Sequence, residues 1–374
     1  MPVEKLTTIY SQHTIHLQRL GATEGLKVIP YLESIENDVV SILNKYRKRK
    51  VTPALQVKIQ GEIDTATRKH LQDYTSQLKV ENRALGAYEA EFAATTLNSV
   101  VINEDFNATV PSAAAVNSVA TITPIKLSDN SYSSYSSLMK NYWGKWSDEI
   151  HGVVQAGFIE GQTIPEITNA ITAQMDLSKS GTTKSVLDRA RRSAKQLAIT
   201  GTNHYANTAR IAFVDKNDDI LKGYRFLAVN DSRTSRTCAR LDQTTYAKDD
   251  PKLSSVTPPL HPRCRSGLTF DVDDRFKLDA SDTKKASSFE VNGKRDGKPI
   301  DSDSIYYANL KKLGERKGGW KDIDAAIGPT LGKALRKMNP VEFAKMTGDS
   351  MNNPLTITQM KEKNNELGRI LRSQ

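Results

Sequence analysis

Apolar residues in the first hundred positions recur at the three- and four-residue spacing of amphipathic α-helices. One such stripe consists of Leu32, Ile35, Val39, Ile42 and Tyr46. The basic run at 47–50 complements the negative end of a helix dipole and predicts that this helix ends there. Thr52 and Pro53 then predict a new helix, with Thr52 as its N-cap and Pro53 in its first turn.

Two long helices joined by so short a turn predict an antiparallel hairpin. A third helix is predicted to follow through Tyr88, Phe92 and Leu97. The basic run at 47–50 has two interpretations, a solvated helix end or a docking contact with an acidic partner.

Residues 107–125 contain no charged residue, two prolines and many small side chains. Because proline breaks a helix and the Ser, Thr and Asn content is high, this stretch predicts an extended linker. The Ser-rich stretch at 128–138 predicts further loop and places a domain boundary near residue 130.

Helical spacing returns at about Leu138, and the first of the later helices is predicted to end at Gly161. Thr163 and Glu166 form a capping box for a second helix. A third helix is predicted from about Ser185 past Ala209.

The period then changes, and residues 223–229 and 268–272 predict two antiparallel strands separated by an irregular segment of about 38 residues. Residues 281–304 predict a loop or a weakly ordered segment, and Thr356 predicts the N-cap of one final helix that holds Met360, Leu367, Ile370 and Leu371.

These patterns predict a predominantly α member of the α+β class. We expect an N-terminal helical region at 1–106, a linker at 107–137, a helical domain with a β-hairpin and a long cross-linked loop at 138–280, and a helical tail at 281–374.

Lys and Arg exceed Asp and Glu by 53 to 43, so the net charge is +10. This excess serves either solubility or attraction to a polyanion. Residues 181–240 have a net charge of +7 but few aromatic side chains. This composition favours contact with nucleic-acid phosphates over recognition of the bases. Two cysteines exclude a disulfide scaffold, and the N-terminus and hydropathy predict neither a signal peptide nor a membrane span.

The long segment between the two predicted strands carries both cysteines of the chain, Cys238 near one end and Cys264 near the other, with His261 beside Cys264. Three such ligands could form a structural zinc site, with Asp231, Asp242 or water in the fourth position. A metal-free arrangement with His261 hydrogen-bonded to the backbone, and a Cys238–Cys264 disulfide, are the alternatives.

Asp231, Arg233 and Thr234 lie at the start of this segment, where Asp231 can cap a turn and Arg233 can brace carbonyls or a carboxylate. Neither a nucleophile paired with a base nor a metal-binding array of carboxylates is apparent in the sequence. The sequence therefore predicts a protein without enzymatic activity.

The pairing of Asp-x-Arg-Thr at 231–234 with Pro-Pro-x-His-Pro-x-Cys-Arg at 258–265 resembles the phage Mu protein F-like, or head morphogenesis, family of minor head proteins. The resemblance covers about residues 145–272 and includes the Gly-Tyr-aromatic strand that begins at Gly223. The resemblance implies that a structural motif of the family includes Asp231, Arg233, Thr234, Pro259 and Arg265. Ser266 stands where the family usually has a last cysteine.

The resemblance implies a non-enzymatic virion protein, assembled in the host cytoplasm and located in the capsid interior or at the portal vertex. Its implied partners are the portal protein, the scaffold or the major capsid interior, with several copies around the portal and weak, non-specific contact with packaged DNA. Its implied roles are head assembly and DNA ejection. The alternatives are a nuclease or toxin-type effector enzyme carried by a phage head domain, and a non-specific DNA-binding virion protein.

Overall fold

The computed structural model describes residues 4–49, 52–103, 106–128, 131–172, 186–279, 284–285, 287–291, 294–296, 299–301, 303–316, 318–350 and 353–372. The chain divides into two compact units, each assembled from separated stretches. Unit 1 comprises Met1–Gln18, Leu85–Ser133 and Asn203–Gln374, and unit 2 comprises Arg19–Ala84 and Ser134–Thr202. Neither unit coincides with one of the four regions predicted along the sequence.

Helices dominate the structure, which confirms the predicted fold class. The N-terminal and central helices are α1 (Glu4–Glu24), the 3₁₀ turn Gly25–Val28, α2 (Ile29–Tyr46), α3 (Pro53–Val100), α4 (Ala113–Ile122), α5 (Tyr135–Ile159), α6 (Ile164–Thr172), α7 (Val186–Lys216), α8 (Arg236–Leu241) and α9 (Leu253–Val256). The C-terminal helices are α10 (Tyr306–Gly314), α11 (Gly319–Ile327), α12 (Pro329–Lys337), α13 (Pro340–Met346), α14 (Ile357–Lys363) and α15 (Asn365–Arg372).

The strands are short and pair mainly in antiparallel fashion. They are β1 (Ile125–Ser128), β2 (Ser131–Ser133), β3 (Leu221–Leu227), β4 (Asn230–Asp231), β5 (Thr245–Ala247), β6 (Gly267–Val272), β7 (Lys284–Lys285), β8 (Ser287–Val291), β9 (Lys294–Asp296) and β10 (Ile300–Asp301). No helix in the described part of the chain has both the length and the apolar character that crossing a bilayer requires.

In unit 2, α2 and α3 form the predicted antiparallel hairpin. His70 Nε2 lies 2.8 Å from a carboxylate oxygen of Asp38, and Lys45 Nζ lies 3.0 Å from Glu62. The hairpin also has the predicted ends, because α2 stops at Tyr46 and Thr52 Oγ1 accepts the Leu55 N–H at 3.3 Å. Of the predicted stripe, Ile42 is only half-buried and its neighbour Leu43 takes the buried position.

The predicted third helix is not a separate element, because α3 runs without interruption for 48 residues to Val100. No proline follows Pro53 within α3, and its apolar face continues through Ala90, Ala93 and Leu97, all fully buried.

The later helices of unit 2 begin and end largely as predicted. Gly161 has a positive φ of 70° directly after α5, and Thr163 donates to Glu166 in the predicted capping box of α6. The predicted start at Ser185 lies outside the described residues, and α7 is described from Val186.

The prediction of an extended linker at 107–125 is wrong, because α4 lies within it. Pro111 and Pro124 flank α4 and therefore do not interrupt it, and the Ser112 side chain caps it by accepting the Ala115 N–H. Val116 and Ala120 are buried in unit 1. The Ser-rich stretch that follows is predicted as loop, but its described residues include the last residue of β1, all of β2 and the start of α5, and β1 pairs with β2.

In unit 1, β3 and β6 form the predicted antiparallel pair, with Tyr224 opposite Phe270. The segment between them was predicted to be irregular, yet it contains α8, α9 and a third strand, β5, which completes a sheet of order β5-β3-β6. Tyr224, Phe226 and Phe270 are fully buried in the core of this unit.

Two expectations for the C-terminal region are also wrong. Within 281–304, predicted to be loop, the described residues include short strands, and Phe289 of β8 is buried against Tyr306. The predicted final helix is two helices, because the chain turns at Asn364, whose side chain caps α15 by accepting the Leu367 N–H. The predicted cap at Thr356 is present on α14.

Candidate structural metal centre

Short elements at the two ends of the segment between β3 and β6 position the candidate ligands. Ser235 caps α8 by accepting the Cys238 N–H at 3.2 Å, which holds Cys238 in the first turn of this helix. At the other end, Cys264 N–H donates to the His261 carbonyl at 3.0 Å. The turn follows a cis peptide before Pro259, and Arg263 in it has a φ of 60°.

The structure brings the three predicted soft ligands together. Cys238 Sγ lies 3.3 Å from His261 Nε2 and 3.6 Å from Cys264 Sγ, and the three ligand atoms all lie within 4.8 Å of one another. Both cysteines are free thiols and buried, whereas His261 is half-buried.

Burial and contacts among the three side chains shift their pKa values. Burial opposes the imidazolium form, but the hydrogen bond and negative charge of Cys264 outweigh it and raise the pKa of His261 to about 9. Burial likewise opposes the Cys264 thiolate, yet hydrogen bonds from Cys238 and His261 hold the pKa of Cys264 well below its ordinary value. The hydrogen bond to Cys264, followed by burial, raises the pKa of Cys238.

The orientation of His261 suits a metal ligand. Its Nδ1 lies 3.0 Å from the Pro262 carbonyl, to which it can donate, and its Nε2 faces Cys238. A backbone carbonyl on one imidazole nitrogen is the usual device that directs the other nitrogen toward a metal. Ser235 Oγ lies 2.9 Å from the same Nε2 and therefore borders the three-ligand cluster.

The Asp231 carboxylate pairs with Arg265 and is not part of the cluster of Cys238, His261 and Cys264. Arg265 donates from two guanidinium nitrogens to the two carboxylate oxygens of Asp231, and the Arg233 N–H donates to Oδ1 at 2.9 Å. Burial raises the pKa of Asp231, but the hydrogen bond and charge of Arg265 reverse this and lower it. The Thr234 N–H donates to the Asp231 carbonyl, so Asp231 closes the turn that leads to α8.

Asp242 is likewise separate from the cluster of cysteines and histidine. Its buried carboxylate accepts the Ala228 N–H at 2.9 Å and lies 3.5 Å from the buried ammonium group of Lys285. Burial raises the pKa of Asp242. Lys285 was not expected at this position, because it lies in a polar stretch with no apolar period that would predict its burial.

A second buried polar network, which the sequence patterns do not predict, joins His13, Glu89 and Arg210. Arg210 is 1% exposed, donates to the Leu268 carbonyl at 2.9 Å and lies 3.2 Å from Glu89, which in turn lies 2.6 Å from His13. A Cβ at Gly267 would lie 2.8 Å from Arg210 Nη1, so this glycine makes room for the guanidinium. The one available indication was an arginine on the apolar face of α7, between Ala209 and Phe213.

Residues 148–269 match the family described as Phage Mu protein F like protein. The matched part is roughly a third of the chain and contains the cluster of Cys238, His261 and Cys264 as well as the Asp231–Arg265 pair. The resemblance stated from the sequence is therefore confirmed. No curated protein and no solved structure matches the chain.

Proposed function

Because the chain contains a phage Mu protein F-like region, we propose that it is a minor head protein of a tailed phage, a non-enzymatic component of the virion. The match at 148–269 is the observation that carries this proposal. We place the protein in the capsid interior at the portal vertex, in several copies, where it supports head assembly and DNA ejection.

A structural role accounts for the chemistry of the loop between β3 and β6. The sulfur atoms of Cys238 and Cys264 are buried, so a macromolecular substrate does not reach either of them. The surrounding polar groups, Asp231 with Arg265 and Asp242 with Lys285, are engaged with one another. Such an arrangement fixes a loop in one conformation, which an assembly surface requires.

We further propose that Cys238, His261 and Cys264 hold one structural zinc ion. Two sulfurs and one imidazole nitrogen are the donor types that zinc prefers, and the Pro262 carbonyl orients His261 for ligation. Asp231 and Asp242 are engaged elsewhere, so water or the neighbouring Ser235 hydroxyl would complete the coordination. Bound zinc would fasten the two ends of the loop to each other.

The proposed partners are the portal protein, the scaffold or the inner face of the major capsid protein, and packaged DNA through weak, non-specific contact. The test is mass spectrometry of purified virions, combined with co-purification of the chain with the portal protein. We expect the protein in virions at a few copies per particle and bound to the portal. Absence from both preparations would contradict the proposal. Metal-dependent cleavage of plasmid DNA that His261→Ala abolishes would support the nuclease alternative.

A further inference from the structure

The tip of the α2–α3 hairpin, which the structure describes at residues 45–49 and 52–58, has an unusual charge composition. These residues include five basic and no acidic side chains. The basic residues are Lys45, Arg47, Lys48, Arg49 and Lys58. This hairpin tip lies outside the part of the chain that the family match covers.

Several basic side chains elsewhere in unit 2 pair with carboxylates. Arg68 pairs with Asp64 and Asp148, and Arg189 pairs with Glu149. At the hairpin tip Lys45 pairs with Glu62, but Arg47, Lys48 and Arg49 are exposed and make no ion pair with any described residue. The Arg49 guanidinium lies over the Tyr46 ring, 5.7 Å from its centroid, and no described carboxylate neutralises these three charges.

Helix capping explains only a small part of this charge. A cation in the last turn stabilises a helix through its dipole, and Lys45 already occupies the last turn of α2. Arg47 is the C-cap residue of α2 and acts on the same helix end, but the dipole effect falls off within one turn, so it does not explain why cations occupy all three positions 47–49. The concentration of these exposed cations at the hairpin tip points to an external polyanion.

We propose that the hairpin tip binds the phosphate backbone of duplex DNA without sequence preference. Two packed helices are together about 20 Å wide, whereas the major groove is about 12 Å wide, so the tip contacts phosphates rather than base edges. Its sole aromatic residue, Tyr46, is buried, so it has no ring to stack on the bases of a single strand.

This inference rests on the proposed place of the protein beside packaged DNA, and it names the surface that makes the contact. Packaged DNA offers a dense and uniform array of phosphates, which suits an exposed cluster of Lys and Arg. The contact would be weak and dependent on salt, because each neutralised phosphate releases a counterion.

The test uses the full-length chain and a fluorescently labelled 30-base-pair duplex, with binding measured by anisotropy from 50 to 200 mM NaCl. The tip variant is Arg47→Gln, Lys48→Gln, Arg49→Gln. Its matched control is Lys312→Gln, Lys361→Gln, Lys363→Gln, which removes the same net charge at exposed positions in unit 1. Circular dichroism establishes that both variants remain folded.

We expect the tip variant to bind at least tenfold more weakly at 50 mM NaCl. Its slope of log Kobs against log salt should be smaller in magnitude by about 2.7, at ~0.9 per phosphate contact. The control should bind like the unmodified chain. Equal losses in both variants, an unchanged slope, or equal competition by polyglutamate of the same charge would overturn the proposal. Because this binding is measured outside the virion, its failure is separable from a failure of the proposed function.

Discussion

The loop between β3 and β6 in unit 1 and the α2–α3 hairpin in unit 2 use charged side chains in opposite ways. In the loop, Asp231 and Arg265 are 34 residues apart in sequence, and their side chains are only 7% and 16% exposed. At the hairpin tip, Arg47, Lys48 and Arg49 are adjacent in sequence and exposed. The loop thus uses charge for internal cross-linking, whereas the tip presents charge to its surroundings.

The difference shows which charges contribute to stability. A buried pair leaves an unsatisfied charge when one partner is removed, so its loss is costly. An exposed cation remains solvated whether or not it has a partner, so its loss costs little. The loop should therefore be sensitive to single substitutions that the hairpin tip tolerates.

The largest expected effect is that of Arg265→Ala, which leaves Asp231 buried without its main partner. We expect the free energy of unfolding to fall by about 3 kcal/mol. The matched control is Arg233→Ala, because Arg233 contacts the same carboxylate at 3.4 Å but is 73% exposed. This control should lose less than about 1 kcal/mol. Urea unfolding measures the free energy of unfolding of both variants. Equal losses would show that burial does not set the contribution of these arginines to stability.

The second effect is a pH dependence that arises from His204. Burial lowers the pKa of His204 to about 4, whereas the unfolded chain titrates near 6.5. Its contribution to stability is therefore complete above pH 6.5 and is lost as the pH falls toward 4, at about 1.4 kcal/mol per pH unit.

The variant His204→Gln isolates this contribution from that of the carboxyl groups. Gln keeps a donor for the Ala120 carbonyl, which His204 contacts at 2.7 Å, but it does not titrate. The difference in unfolding free energy between the two proteins should shrink by about 2 kcal/mol from pH 6.5 to pH 5. A difference that stays constant over this range would show that His204 does not carry the pH dependence.

The third effect compares two helix caps. Ser235 caps α8 and also contacts His261 within the loop, whereas Thr52 caps α3 at the exposed hairpin tip. Ser235→Ala should cost about 1–2 kcal/mol and Thr52→Ala about 0.5–1 kcal/mol. Thermal unfolding, monitored by circular dichroism, ranks the stability losses of the two variants. A larger loss in Thr52→Ala would contradict the claim that the loop is the more sensitive region.

The smallest effect is expected from the tip variant Arg47→Gln, Lys48→Gln, Arg49→Gln. Because these side chains are solvated and make no ion pair with described residues, the free energy of unfolding should change by less than about 0.5 kcal/mol. A larger loss in urea unfolding would assign these cations a structural role.

Local sequence patterns predicted the elements whose stabilising contacts are close in sequence. The hairpin followed from apolar spacing, and the caps at Thr52, Thr163 and Thr356 followed from side chains that bond three residues ahead. The trio of Cys238, His261 and Cys264 was predicted because prolines and two rare residue types marked both ends of one segment.

Contacts between distant segments were not predictable in this way. Glu89 and Arg210 are 121 residues apart in sequence, and Asp242 and Lys285 are 43 residues apart. The local spacing of apolar and polar residues therefore does not predict either ion pair. The composition of residues 107–125 does not predict α4, because Pro111 and Pro124 flank this helix and do not interrupt it. In each case packing against another part of unit 1 decides the structure.

The claim that zinc fastens the loop between β3 and β6 is tested most directly by the zinc content of the full-length chain. The chain is purified under reducing conditions, and its zinc is measured by inductively coupled plasma mass spectrometry. We predict about one zinc per chain, reduced to near zero in Cys264→Ser and unchanged in the control Asp242→Asn, both taken from the folded fraction. A metal-free chain, or one whose mass shows Cys238 joined to Cys264 as a disulfide, would contradict the claim that zinc fastens the loop.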